Sequence, residues 1–141
     1  MAAPNLRAFF AQNAEKIPNR KLVVSDRFKD DEGNPIEWEI RALTAGEQQQ
    51  IRSQTLNMDA SAESSLKIRY DSAKGNTLTA AKAVVFPDLE NAELQDSYGV
   101  KRAQDLIGVM LLPGELETLL AAVNEMNGVK SPAKLEADAK N

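Results

Sequence analysis

The chain has 141 residues and a mass of 15.4 kDa, with 43% hydrophobic residues, 27% charged residues and a formal net charge of -4. That size suits one domain with a real core, the composition is that of a folded soluble protein, and the apolar runs are too short to span a bilayer. Cysteine and histidine are both absent, which excludes disulfides, thiolate zinc sites and imidazole catalysis, and the acidic balance disfavours generic attraction to nucleic acid.

Residues 2–10 offer no apolar stretch followed by a cleavage signal, so a cytosolic start is expected. Residues 1–5 read as frayed. Leu6, Phe9, Phe10 and Asn13 then recur at helical spacing and predict a short amphipathic helix to Ala14, ended by Pro18-Asn19. Phe9 and Phe10 are expected to pack against the sheet or the helices; the alternative is a docking arm for a neighbouring subunit.

Residues 20–47 are the best-patterned stretch. Ile36, Trp38, Ile40 and Ala42 alternate with Glu37, Glu39 and Arg41, the period of a half-buried strand. The run before it sets Leu22, Val24 and Phe28 on one face, with Asp26 sharing their parity. Between them, Lys29 to Pro35 contains Gly33 and Asn34 and makes a turn, so the two runs form an antiparallel hairpin over about 21–42. Thr44 and Glu47 have the spacing of a capping box, with Leu43 placed as the outer half of a hydrophobic staple, and predict a helix from Ala45 to about Leu56.

Asn57 to Ser65 reads as a solvated loop, and Leu66, Ile68 and Tyr70 as a short strand or extended packing segment. Asp71 or Ser72 is placed to cap a further helix, in which Leu78, Ala81, Val85 and Phe86 share a face, stopped by Pro87-Asp88. A short helical turn over 91–97 is closed by Tyr98-Gly99. Ala103, Leu106, Ile107, Met110 and Leu111 form a buried helical stripe, and Pro113-Gly114 separates it from a last helix. That helix carries Leu116, Leu119, Leu120, Val123 and Met126 on one face and stops at Gly128. The sum is an α+β chain, mainly α-helical, with an N-terminal hairpin packed on a bundle of short helices. A single domain is expected over 1–128 and a flexible tail over 129–141.

Ser25-Asp26-Arg27 and Asp96-Ser97-Tyr98 are the polar clusters nearest to a nucleophilic site, and neither has a base to deprotonate its serine. Glu37, Glu39, Glu47, Asp30 and Asp31 could in principle pair as general acid and base. They read more simply as a wet strand face and a turn, with Arg27 and Arg41 as cross-strand partners. The glycines never assemble into a phosphate-cradling loop. No catalytic, cofactor-binding or metal-ligating residue is assigned. The helical stripes are expected to serve mostly a self-contained core; a two-stranded sheet cannot cover all the apolar faces, so oligomerisation or partner binding is a second use expected of some of those residues.

Several segments resemble the tail assembly chaperones of long-tailed phages and defective prophages of Gram-positive bacteria, the PBSX-prophage-like group. They are Ser25-Asp-Arg-Phe-Lys29, Glu32-Gly-Asn-Pro35, Trp38-Glu-Ile-Arg41 with Leu43-Thr44 and Glu47, Val84-Val-Phe-Pro-Asp-Leu89, Leu94-Gln-Asp-Ser-Tyr-Gly-Val100 and Met110-Leu-Leu-Pro-Gly-Glu115. The resemblance implies a non-enzymatic protein without cofactors that binds the tape measure protein and supports tail-tube assembly. The tube protein and further copies of the chain are additional candidate partners. It also implies action in the host bacterial cytoplasm, absence from the mature virion, and a longer form made by frameshifting, for which Lys140-Asn141 is compatible with a slippery run of adenines. The alternative within the same setting is a structural tail component, and a small enzyme ranks below both.

Overall fold

The computed structural model describes residues 5–59, 67–70 and 72–129. Strands β1 (Arg20–Leu22) and β2 (Trp38–Ile40) pair antiparallel, Leu22 opposite Trp38 and Arg20 opposite Ile40. The expected hairpin is therefore present, but its ladder is short. The chain leaves it at Val23, where Val24 and Ser25 are buried in succession and break the alternation. Ser25 Oγ accepts from the Arg27 amide at 3.1 Å, turning the backbone before the two arms of the hairpin meet again at the isolated Lys29–Pro35 bridge, outside both strands. Asp30 closes the tip, its Oδ1 accepting from the amides of Glu32 and Asn34 at 2.9 Å each.

The capping box at the exit of β2 forms as the spacing predicts. Thr44 Oγ1 accepts from the Glu47 amide at 3.1 Å and Glu47 Oε1 accepts from the Thr44 amide at 3.0 Å. It opens helix α1 (Ala45–Thr55), which buries Ile51 and Thr55. The fourth helical position is Gln48, so Leu43 has no staple partner on its own helix and packs on the main core instead.

Two stretches differ from the sequence reading. Leu56–Asp59 is strand β3, not the end of a helix followed by loop, and pairs antiparallel with β4 (Lys67–Tyr70). The register sets Leu56 against Tyr70 and Met58 against Ile68, with Asn57 against Arg69 and Asp59 against Lys67. The polar half of that alternation is what made the segment read as loop. The second difference concerns Val84–Phe86, which is strand β5 rather than the end of helix α2 (Ser72–Ala83). Two β-branched valines and an aromatic before a proline favour extended backbone, and β2 has an open edge to pair with. The sheet consequently has three strands in the order β1-β2-β5.

Helix α2 is the hub of the helical layer, lying against α1, α4 (Ala103–Met110) and α5 (Pro113–Met126). Its inner face is not the expected Leu78 and Ala81, both half-buried, but Gly75, Thr79, Ala80 and Ala83, all buried. Small side chains let helix axes approach closely, a packing mode that hydrophobicity counts overlook. Helix α3 (Ala92–Ser97) is capped by Asn91, whose Oδ1 accepts from the Leu94 amide at 2.9 Å. Gly99 and Gly128 end α3 and α5 at positive φ (71° and 77°), a backbone other residues adopt only under strain. Trp38, Ile40, Leu106, Ile107, Leu119 and Val123 lie fully buried in one cluster that joins the sheet to α4 and α5. The structure is mainly helical with a small antiparallel sheet.

Candidate docking surfaces

The predicted stripes of α4 and α5 are consumed by the interior. Ala103, Leu106, Ile107, Met110 and Leu111 are buried, as are Leu119 and Val123, and Leu116, Leu120 and Met126 pack partly on the same core. The stripes therefore serve the helical core, as expected for most of their residues, and leave little of themselves for a second use in partner binding. The third strand and the small face of α2 give them enough to cover.

Among the described residues Val23, Tyr98 and Val129 are exposed singly, and apolar surface is also exposed in three groups. The first is the leading segment, where the expected helix to Ala14 is only a 3-10 turn over Leu6–Phe9. Phe9 is 79% exposed, and Leu6, Phe10 and Ile17 are exposed with it, so packing of the two phenylalanines against the sheet or helices does not occur. The bonds of residues 5–14 close on themselves: Ala8 to Asn5, Phe10 to Arg7, Asn13 and Ala14 to Phe10, and Asn13 Nδ2 to Arg7. Leaving a phenylalanine in water forgoes roughly 1.5–3 kcal/mol of burial.

The second place is the outer face of the sheet. The register moves from Glu39–Phe86 to Ile40–Val84, so β5 holds one extra residue there, a β-bulge. Regular pairing would set Phe86 opposite Trp38, facing the core. The bulge instead sets it opposite Glu39, on the outward side, where it is 52% exposed beside an exposed Val85. Lys21, Glu37, Glu39, Val85 and Phe86 line a cleft of about 420 Å³.

The third is the elbow between α4 and α5, where Val109 and Leu112 are exposed although their neighbours are core. Its geometry is held from outside the two helices. Arg27 donates through Nη2 to the Met110 carbonyl at 2.8 Å and through Nε and Nη2 to the two carboxylate oxygens of Glu115. Glu115 Oε1 in turn accepts from the Leu112 amide at 2.8 Å, capping α5 one residue ahead of Pro113. The Arg27 guanidinium, then the Leu112 amide and Ser25, hold the Glu115 carboxyl down to about 2. Arg27 also lies 5.1 Å from the centre of the Phe28 ring, which tilts against Trp38 at 6.3 Å.

Several other charged residues singled out by sequence are also paired. Arg41 is bidentate to Glu47 at 2.7 and 3.1 Å, and the guanidinium and the Thr44 amide bring the Glu47 carboxyl to about 2. Glu39 accepts from Asn19 at 3.0 Å. The expected cross-strand pairing of Arg27 and Arg41 with the strand glutamates is therefore replaced by Arg27–Glu115 and Arg41–Glu47. Ser97 Oγ donates to the Leu94 carbonyl at 2.7 Å. The Asp105 carboxyl is lowered too, by Arg102, so all three shifted carboxyls among the described residues move down, away from the raised value a general acid needs. Among the described residues no acidic cluster is arranged to hold a metal ion.

The sequence matches the family of phage XkdN-like tail assembly chaperone proteins over residues 6–140. The chain belongs to that family. No curated protein matches it. The crystal structure of the protein YqbN shares the fold, with a TM-score of 0.74 and 21% identity over 92% of this chain and 100% of that one. The tail assembly chaperone described here thus shares the YqbN fold and has apolar surfaces that its own core leaves uncovered. Of the exposed residues, Phe9 and Phe10 were expected to be packed, and their exposure agrees only with the alternative reading of that segment as a docking arm. Val109 and Leu112 were not legible in sequence, although an apolar residue off the stripe of an amphipathic helix is the signal that marks Val109. Phe86 has no sequence signal, because a one-residue bulge decides its direction.

Proposed function

We propose that this protein is a non-enzymatic tail assembly chaperone that binds the tape measure protein, keeps it soluble and supports tube assembly around it. The family match over nearly the whole chain carries this reading. The elbow supports it as the docking surface. Val109 and Leu112 are apolar and exposed, the backbone between the helices is held at Met110 by Arg27 and at Leu112 by Glu115, and a preorganised apolar surface loses little entropy when a helical partner covers it. Binding of this kind is displaceable by mass action and needs no nucleotide. The protein acts in the host cytoplasm, folds as one unit over 1–128, and is left out of the finished virion. The longer frameshifted product is proposed on codon grounds alone, as residues 130–141 lie outside the described part.

Co-expression with the tape measure protein from the same gene cluster tests the reading. The tape measure protein should become soluble and co-purify with the chaperone. Unchanged solubility and no co-purification would overturn it, and recovery of the protein in purified virions would favour a structural tail component instead.

A further inference from the structure

We propose that the leading segment of one copy docks on the outer sheet face of a second copy, with Phe9 and Phe10 entering the cleft lined by Lys21, Glu37, Glu39, Val85 and Phe86. The two surfaces match in chemistry. The segment offers aromatic side chains with Phe9 79% exposed, and the cleft offers Val85 and Phe86 in its lining. Their charges are opposite: residues 5–19 carry Arg7 and Lys16 against Glu15, whereas the cleft carries Glu37 and Glu39 against Lys21. Opposed rims around an apolar centre set register and orientation in a contact.

The donor is another molecule because the chain's own segment does not fill the cleft. Residues 5–14 are closed by bonds among themselves, and the connector over 14–19 is exposed throughout. It is tied to the domain through Asn19 and Glu39, at the rim of the cleft. Every copy therefore brings one arm and one cleft, and mutual exchange of identical segments is a low-cost route to a closed pair. The bulge in β5 has a role in this arrangement, since it is what turns Phe86 toward the acceptor side. This contact does not involve the elbow, so it stands apart from recognition of the tail partner.

Analytical ultracentrifugation of the full chain alone tests the proposal. The wild type should self-associate with rising concentration. Phe9→Asp with Phe10→Asp, and separately Phe86→Asp, should each weaken association by about tenfold or more. Both sets lie at exposed positions, and circular dichroism matching the wild type verifies the fold. An equimolar mixture of the two variants should regain association, because one retains an intact cleft and the other an intact arm. Arg7→Glu should weaken association and Glu37→Lys should restore it, a pair that leaves the apolar residues untouched. A wild type that stays monomeric at every accessible concentration, or a Phe86→Asp variant that associates like the wild type, or a mixture that fails to associate, would overturn the proposal.

Discussion

Glu115 serves three neighbours at once: it ion-pairs with Arg27, accepts from the Leu112 amide and lies within hydrogen-bonding reach of Ser25. Glu47 does the same for Arg41 and Thr44. Each ionises near 2 in the folded chain against an ordinary 4.5, so between those values the folded state binds fewer protons than the unfolded one. The stability they lend is complete above the unfolded value and is lost as pH falls through that window. Urea midpoints followed down from about pH 5 to about pH 2 should fall, and the fall should be shallower in Glu47→Gln and Glu115→Gln. Added salt should reduce the effect, because both pairs are partly exposed. A wild-type midpoint that stays flat through the window would contradict this account.

At the scale of the element, α2 and β5 are one continuous device. The helix buries Gly75, Thr79, Ala80 and Ala83, and the strand begins at the next residue with Val84 opposite Ile40. Because its inner face is small, α2 approaches α4 and α5 closely, and its end delivers the chain to the open edge of β2. Ala80→Leu inserts three carbons where no space exists and should cost about 1–3 kcal/mol in chemical denaturation. A cost near zero would mean the helices are not in close contact there. Trp38→Ala, at 2% exposure between sheet and helices, should cost about 3–5 kcal/mol by the same measurement.

For the whole molecule, the proposed docking residues are distinct from those that hold the core. The helical stripes are buried or partly buried, whereas the elbow, the outer sheet face and the leading segment carry exposed apolar side chains. Val109→Asp with Leu112→Asp should therefore shift stability by no more than about 0.5 kcal/mol per site yet abolish co-purification with the tape measure protein. Retained co-purification would move recognition to another surface. The arm variants Phe9→Asp and Phe10→Asp should lose self-association and keep the tail partner, which separates the two contacts. Among the described residues no helix is long and apolar enough to cross a membrane.

Local patterns were readable wherever neighbours in sequence are also neighbours in space. The capping box at Thr44, the alternation through Trp38 and Ile40, and the stripes on either side of Pro113 depend only on residues a few positions apart, and each is present. The Val-Val-Phe-Pro run favours extended backbone locally, but only the tertiary structure supplied the open edge of β2 that makes Val84–Phe86 a strand. It also decided that Arg27 pairs with Glu115 across 88 positions, and that a single bulge turns Phe86 from core to surface. Periodicity states which residues can share a face; whether that face meets water depends on what the rest of the chain brings against it, and no local pattern contains that information.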